Sequence, residues 1–198
     1  MDPLLRSMLR LGQAVRVIGL EEARSVGLTP VQAETLLFIG RTKSFATSIG
    51  RLAGHLGVSH ASAVGVVDGL EARGLIERTG DTRDRRITRL RLTPAGHQVM
   101  EGLGRWGWQL TRALEGLTVE ERKALERGLG AVIWSLRRAG YLEVAEPCRG
   151  CAYFAENVAP GQPEPHHCRL IDRFLSEEEA RKDCPDHTPV RAPAGRAQ

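Results

Sequence analysis

The 198-residue chain is 41% hydrophobic and 26% charged, which excludes a disordered or collagen-like protein and allows one good core plus an appendage. Its net charge of +4 is uneven: residues 1–140 hold 21 lysines and arginines against 14 acids, residues 141–198 hold 7 against 10. A basic body favours a polyanionic partner, and no apolar run approaches the roughly 18–20 residues that would cross a bilayer.

Leu4, Met8, Leu11, Val15 and Ile18 recur at helical spacing, so residues 3–25 are predicted as an amphipathic helix that stops near Gly27. Thr29-Pro30 supplies a cap and first turn for a second helix to about Ile39. A short helix at 48–55, a turn through His55-Leu56-Gly57-Val58, and a helix at about 60–73 capped by Ser59 follow. Ala63, Val66, Val67 and Leu70 form the buried face of that last helix, and Gly74 ends it. Leu75–Thr79 and Ile87–Leu92 are strands, the second alternating Thr88, Leu90 and Leu92 with Arg89 and Arg91. The loop between them, Gly80 to Arg86, is rich in arginine. Thr93-Pro94 opens one further helix carrying Val99, Leu103, Trp106, Leu110 and Leu114 on one face. Thr118 and Glu121 form a capping box for a helix at about 119–139, striped with Leu125, Leu129, Val132, Ile133 and Leu136.

Helix, tight turn, helix, strand, basic loop and strand make a helix-turn-helix followed by a hairpin. The fold class is therefore mainly α with a small β-hairpin wing, an α-helical dimerisation region and a cysteine-rich C-terminal extension. The wing string Asp81-Thr82-Arg83-Asp84-Arg85-Arg86 is preceded by Leu70-Glu71-Ala72-Arg73-Gly74-Leu75-Ile76 and followed by Leu92-Thr93-Pro94-Ala95-Gly96. Over about residues 3–140 the chain resembles the MarR family of bacterial transcription regulators. The resemblance implies a homodimer on a pseudo-palindromic double-stranded DNA operator, with the first and last two helices forming the dimer interface. It places the helix starting at Ser59 in the major groove and the wing at the minor groove or backbone. The DNA-contacting residues expected are Ser59, His60, Ala61, Ser62 and Gly65 on the helix and Arg83, Arg85 and Arg86 on the wing, with Asp84 orienting Arg86. The exposed helix positions are poor in base-reading side chains: long donors are missing at Gly65 and Gly69, where relatives often carry arginine or lysine. The wing and DNA shape are therefore expected to carry a larger share of recognition.

The N-terminus carries an acid early and does not read as a signal peptide, which places the chain in the cytoplasm. In that reducing compartment cysteines serve metal or redox chemistry more often than disulfides. All four cysteines lie past Gly140, as Cys148, Cys151, Cys168 and Cys184 with the spacing C-x2-C-x16-C-x15-C-P. Four cysteines complete the ligand set of one metal centre. One close pair followed by two separated singles and a final Cys-Pro suits a [4Fe-4S] cluster better than zinc, the alternative. His166, His167 and His187 flank the cysteines and are read as bystanders. The extension has a sparse core of Tyr153, Phe154, Leu170, Ile171, Phe174 and Leu175, so a metal should staple it. The domains expected are 1–140, the winged DNA-binding and dimerisation unit; 141–187, the metal-binding extension; and 188–198, a disordered tail.

The function that follows is a dimeric transcription regulator, a repressor rather than an enzyme, whose DNA binding responds to redox, oxygen or nitric oxide at the cluster. Because the extension leaves the last helix, its folding state would bias the spacing of the DNA-reading helices. Two rivals stand beside it. One is a regulator gated by a small aromatic or acyl ligand near Trp106 and Trp108, with a structural zinc tail. The other is an iron–sulfur enzyme or electron carrier that uses the winged unit as a scaffold; nucleotide-binding glycine fingerprints and catalytic Ser/His/Asp sets that would support it are missing.

Overall fold

The computed structural model describes residues 2–81, 87–103, 107–142 and 145–190. Helix α1, Pro3–Ser25, begins where the Asp2 carboxylate accepts from the Leu4 amide. Helix α2, Pro30–Arg41, opens on a full capping box between Thr29 and Gln32. Helices α3, Ile49–Leu56, and α4, His60–Ala72, are joined through Gly57, whose φ of 64° permits the reversal that a side chain would strain. Strands β1, Ile76–Gly80, and β2, Thr88–Leu92, pair antiparallel with Ile76 opposite Leu92 and Gly80 opposite Thr88.

The core of this unit is built around α2. Leu36 on α2, Leu52 on α3, Val67 and Leu70 on α4, Ile76 on β1 and Leu90 on β2 are all sealed from solvent in one cluster. Each such side chain contributes roughly 1.5–3 kcal/mol of burial. Helix α5, Pro94–Gly102, is locked beneath the hairpin by Thr93, whose hydroxyl donates to the Gly74 carbonyl at 2.6 Å. A Cβ at Gly96 would lie 1.9 Å from the Leu75 carbonyl oxygen, so only glycine lets this helix approach.

The single helix expected after Thr93 is two helices among the described residues: α5, then α6 at Trp108–Glu115. Gly107 has φ of 80°, which interrupts the right-handed path although the apolar spacing continues through it. Trp106 lies outside the described residues. Helix α7, Val119–Arg138, starts on the predicted Thr118–Glu121 capping box. Neither α6 nor α7 buries a residue within the single chain. The apolar side chains Leu4, Met8, Leu11 and Val15 of α1 and Leu125, Val132, Ile133 and Leu136 of α7 remain exposed.

The extension has a fold of its own. Strands β3, Phe154–Ala155, β4, His166–Cys168, and β5, Arg173–Leu175, form a three-stranded antiparallel sheet, and helix α8, Glu177–Arg181, follows. Residues 191–198 lie outside the described residues, but 188–190 do not behave as the disordered tail expected from composition. The Ala152 amide donates to the Thr188 carbonyl at 2.7 Å and the Val190 amide to the Gly150 carbonyl at 2.8 Å, so backbone pairing holds a segment that has few apolar side chains.

Candidate nucleic-acid interface and cysteine cavity

Ser59 caps α4 by accepting from the Ser62 amide at 3.1 Å, and the two hydroxyls share a hydrogen bond of 2.9 Å. That fixes the first turn of the helix. Ser59, His60, Ala61, Ser62 and Gly65 are all exposed on it, as a groove-reading face requires. The other end of α4 is bolted to the hairpin: Arg78 on β1 bonds Asp68 at 2.5 Å and also pairs with Glu71. Those two acids draw its guanidinium pKa upward, chiefly through the Asp68 hydrogen bond, so it stays charged. Asp68, exposed on α4, is thus a structural partner of the wing.

Arg83, Arg85 and Arg86, with Asp84, lie outside the described residues. The base of the wing is described. Arg89 Nε donates to the Asp81 carboxylate at 2.6 Å, and the Leu90 amide donates to the Thr47 carbonyl at 2.8 Å. These contacts tie β2 to the segment leading into α3. Between them lies a cleft of about 510 Å³ lined by Ser48, Gly50 and Arg51 of the α3 start, His60 of α4, and Thr88 and Arg89 of β2. One residue of the extension, Asp186, also lines it. Its carboxylate stands 2.9 Å from Arg51 Nη2.

All four cysteines line one nearly closed cavity. Cys148 and Cys151 sit in a turn closed by the Cys151 amide on the Cys148 carbonyl at 3.0 Å, with Gly150 at φ 81°. Cys168 ends β4 opposite Phe154. Cys184 exchanges backbone hydrogen bonds with Glu146 at 2.9 and 3.2 Å. Burial pushes the Cys148 and Cys184 thiols above the ordinary thiol range, while Lys43 pulls both back down. Among the described residues no group of three or more His, Cys, Asp or Glu side chains is arranged to hold a metal ion as it stands.

Three features of this cavity escape a reading of the sequence. Lys43, from the winged unit, is 2% exposed, lines the cavity and donates its Nζ hydrogen to the Glu179 carbonyl at 2.5 Å. His187 lines it too and is 4% exposed, with neither ring nitrogen hydrogen-bonded among the described residues. His166 and His167 sit elsewhere, beside Glu177 and Asp172. Finally, the extension does not simply trail from α7. It docks on the winged unit: the Lys43 amide donates to the Asp183 carbonyl at 3.0 Å and the Asp183 amide to the Arg41 carbonyl at 2.7 Å.

Residues 26–87, from the end of α1 to the start of β2, match the model of the MarR family. Over that segment the chain is similar to the MarR family. A curated relative, the uncharacterized HTH-type transcriptional regulator YfiV of Bacillus subtilis (strain 168), is 32% identical over 92 residues, 46% of this chain and 58% of its own. The chain thus spans little more than half the length of that relative. Among solved structures, the S. aureus MepR–DNA complex aligns with a TM-score of 0.59 at 18% identity, covering 69% of this chain and 100% of that one. Streptococcus pneumoniae FabT in complex with DNA gives 0.59 at 22% identity, covering 69% and 96%. These two likenesses establish the MarR-like fold. The family match ends well before the first cysteine, so the cavity has to be read from its own residues. The sequence did carry faint signals for them. Lys43 is one of three lysines in the chain, and His187 follows Cys184 by three residues.

Proposed function

We propose that the chain is a homodimeric DNA-binding transcription regulator whose extension carries a [4Fe-4S] cluster on Cys148, Cys151, Cys168 and Cys184, with zinc as the alternative metal. The observation that carries the DNA-binding half is the exposed face of α4 opening on a cleft that also holds Arg51 and Arg89. The relatives MepR and FabT, solved with DNA, share this fold. Dimerisation accounts for the uncovered apolar stripes of α1 and α7, and would present two α4 helices to half-sites about 34 Å apart. Among the described residues no helix is long and apolar enough to cross a membrane.

The donor set supports an anionic metal–thiolate centre. Four thiols share one cavity, and a buried ammonium is costly unless an anion faces it; metal-bound thiolates are that anion for Lys43. The buried imidazole of His187, whose ring nitrogens make no hydrogen bond among the described residues and whose Nδ1 stands 3.7 Å from the Glu146 carboxylate, adds a donor to the same wall. When bound, an iron–sulfur cluster supplies one-electron redox chemistry and sensitivity to oxygen and nitric oxide. The cysteines would hold it, Lys43 would balance its charge, and the chain segments they sit on would take their order from it.

The test is anaerobic purification followed by a visible spectrum and assays for iron, sulfide and zinc, then DNA binding with and without the metal. A brown protein with iron and sulfide supports the cluster; a colourless one with stoichiometric zinc replaces it with the alternative. Equal DNA affinity with and without the metal would make the centre purely structural.

A further inference from the structure

We propose that Asp186 competes with a DNA phosphate for Arg51, and that the cysteine centre decides whether it competes. This rests on the reading of the chain as a DNA binder with a metal centre, and assigns the route by which one acts on the other. The route is short. Cys184 lines the cysteine cavity, and the His187 amide donates to the Cys184 carbonyl at 3.2 Å, closing a turn that contains Asp186. The same stretch is pinned to the winged unit through Asp183, which bonds the backbone of Arg41 and Lys43. With Cys184 held, the turn delivers a carboxylate into the cleft beside Arg51, His60 and Arg89.

The charges decide what that carboxylate does. Arg51 is on α3, where the Ser48-capped N-terminus faces the cleft, and its guanidinium is 2.9 Å from Asp186. A carboxylate offers the guanidinium the same oxygens that a phosphodiester would. The two side chains are 41% and 37% exposed, so solvent screens the pair and it can be exchanged for another anion. While it stands, it neutralises one positive charge in the DNA-facing cleft. Once the centre is lost, Cys184 no longer fixes the turn, Asp186 leaves, and Arg51 becomes available. Loss of the centre should therefore tighten DNA binding. The contact also reaches the helix-turn-helix directly, in place of the longer route through α7.

The experiment is a salt titration of binding to a fluorescent mixed-sequence 24-base-pair duplex, read by anisotropy, for full-length metal-loaded protein. Asp186→Asn should bind on the order of tenfold more tightly at low salt. Its plot of log K against log salt should be steeper by roughly 0.9 for each Arg51 that gains a phosphate, about 1.8 for a dimer. Arg51→Ala in the Asp186→Asn background should remove that gain. Cys184→Ser should tighten binding in the wild-type background and add nothing to Asp186→Asn. An unchanged slope for Asp186→Asn overturns the proposal whatever Cys184→Ser does to the fold of the extension. An equal effect of Cys184→Ser in both backgrounds overturns the link to the centre. If neither wild type nor any variant binds the duplex at any salt, the reading as a DNA binder fails, and this proposal with it.

Discussion

The winged unit and the cysteine extension reach order by opposite routes. In the first, fourteen buried hydrophobic residues among those described, from α1 through α4, both strands of the wing and Leu103 at the end of α5, form one cluster. In the second, the buried cluster is Cys148, Leu175 and Ala180, and strands of two or three residues are stitched by backbone hydrogen bonds. Phe174 and Leu170, expected in the core of the extension, are about half exposed. An apolar core stabilises without help from a ligand. A segment with so little apolar burial needs another source of order: the surface on which it docks and, under the proposed function, a metal at the cysteines.

The largest effect that could break this contrast is removal of the metal proposed for the cysteines. Chelation, or Cys148→Ser, should abolish hydrogen-exchange protection across residues 145–190 while leaving α2, α4 and β1 protected. If the extension keeps its protection, its order comes from elsewhere and the contrast is wrong. Next is a cut in the winged core. Leu70→Ala, at a fully buried position on α4, should cost about 2–5 kcal/mol in chemical denaturation. Since the extension rests on the winged unit through Arg41, Lys43 and Arg51, its protection should fall as well, so the dependence runs one way. Lys43→Met tests the joint itself. It leaves the Glu179 carbonyl without its lysine donor and removes the cation from the cavity wall, costing roughly 1–3 kcal/mol. Faster metal loss to a chelator, with the unfolding of the winged unit hardly moved, is the expected result.

The same contrast explains what could be read from the sequence. Local rules located the winged unit: Thr29-Pro30, Ser59, Thr93-Pro94 and the Thr118–Glu121 box all stand at the helix starts they announced. They failed between α5 and α6, where Leu103 leaves helical geometry and Gly107 turns left-handed while the apolar spacing runs on through both. In the extension the four cysteines were legible as a set, and they do share a cavity. How the extension packs was not. Lys43 to Glu179 and Arg51 to Asp186 join residues 136 and 135 positions apart, and such contacts leave no local pattern of spacing or composition. The idea that the extension acts from the end of α7 followed from chain order alone. A hydrogen bond from Arg137 to the His187 carbonyl at 3.3 Å does join them, but the Arg51–Asp186 pair lies in the cleft beside His60 itself.

The smallest effect concerns the reading face of α4, where the winged unit is least equipped. Gly65 is exposed, and a Cβ placed there meets no other atom within 4 Å. Glycine in a helix interior costs about 0.5–1 kcal/mol relative to alanine, so Gly65→Arg should leave stability unchanged or raise it slightly. It would also place a long donor among His60, Ala61 and Ser62, which as they stand offer few hydrogen bonds to base edges. Binding to duplex DNA should tighten, with the salt slope steeper by roughly 0.9 per added phosphate contact. The informative comparison is between metal-loaded and metal-free protein. Gly65 does not line the cleft that holds the Arg51–Asp186 pair, so the gain from the new arginine should be the same in both. A gain confined to the metal-free form would mean that the centre controls access to α4 as a whole, and the division between a winged unit that reads DNA and an extension that adjusts one contact would have to be redrawn.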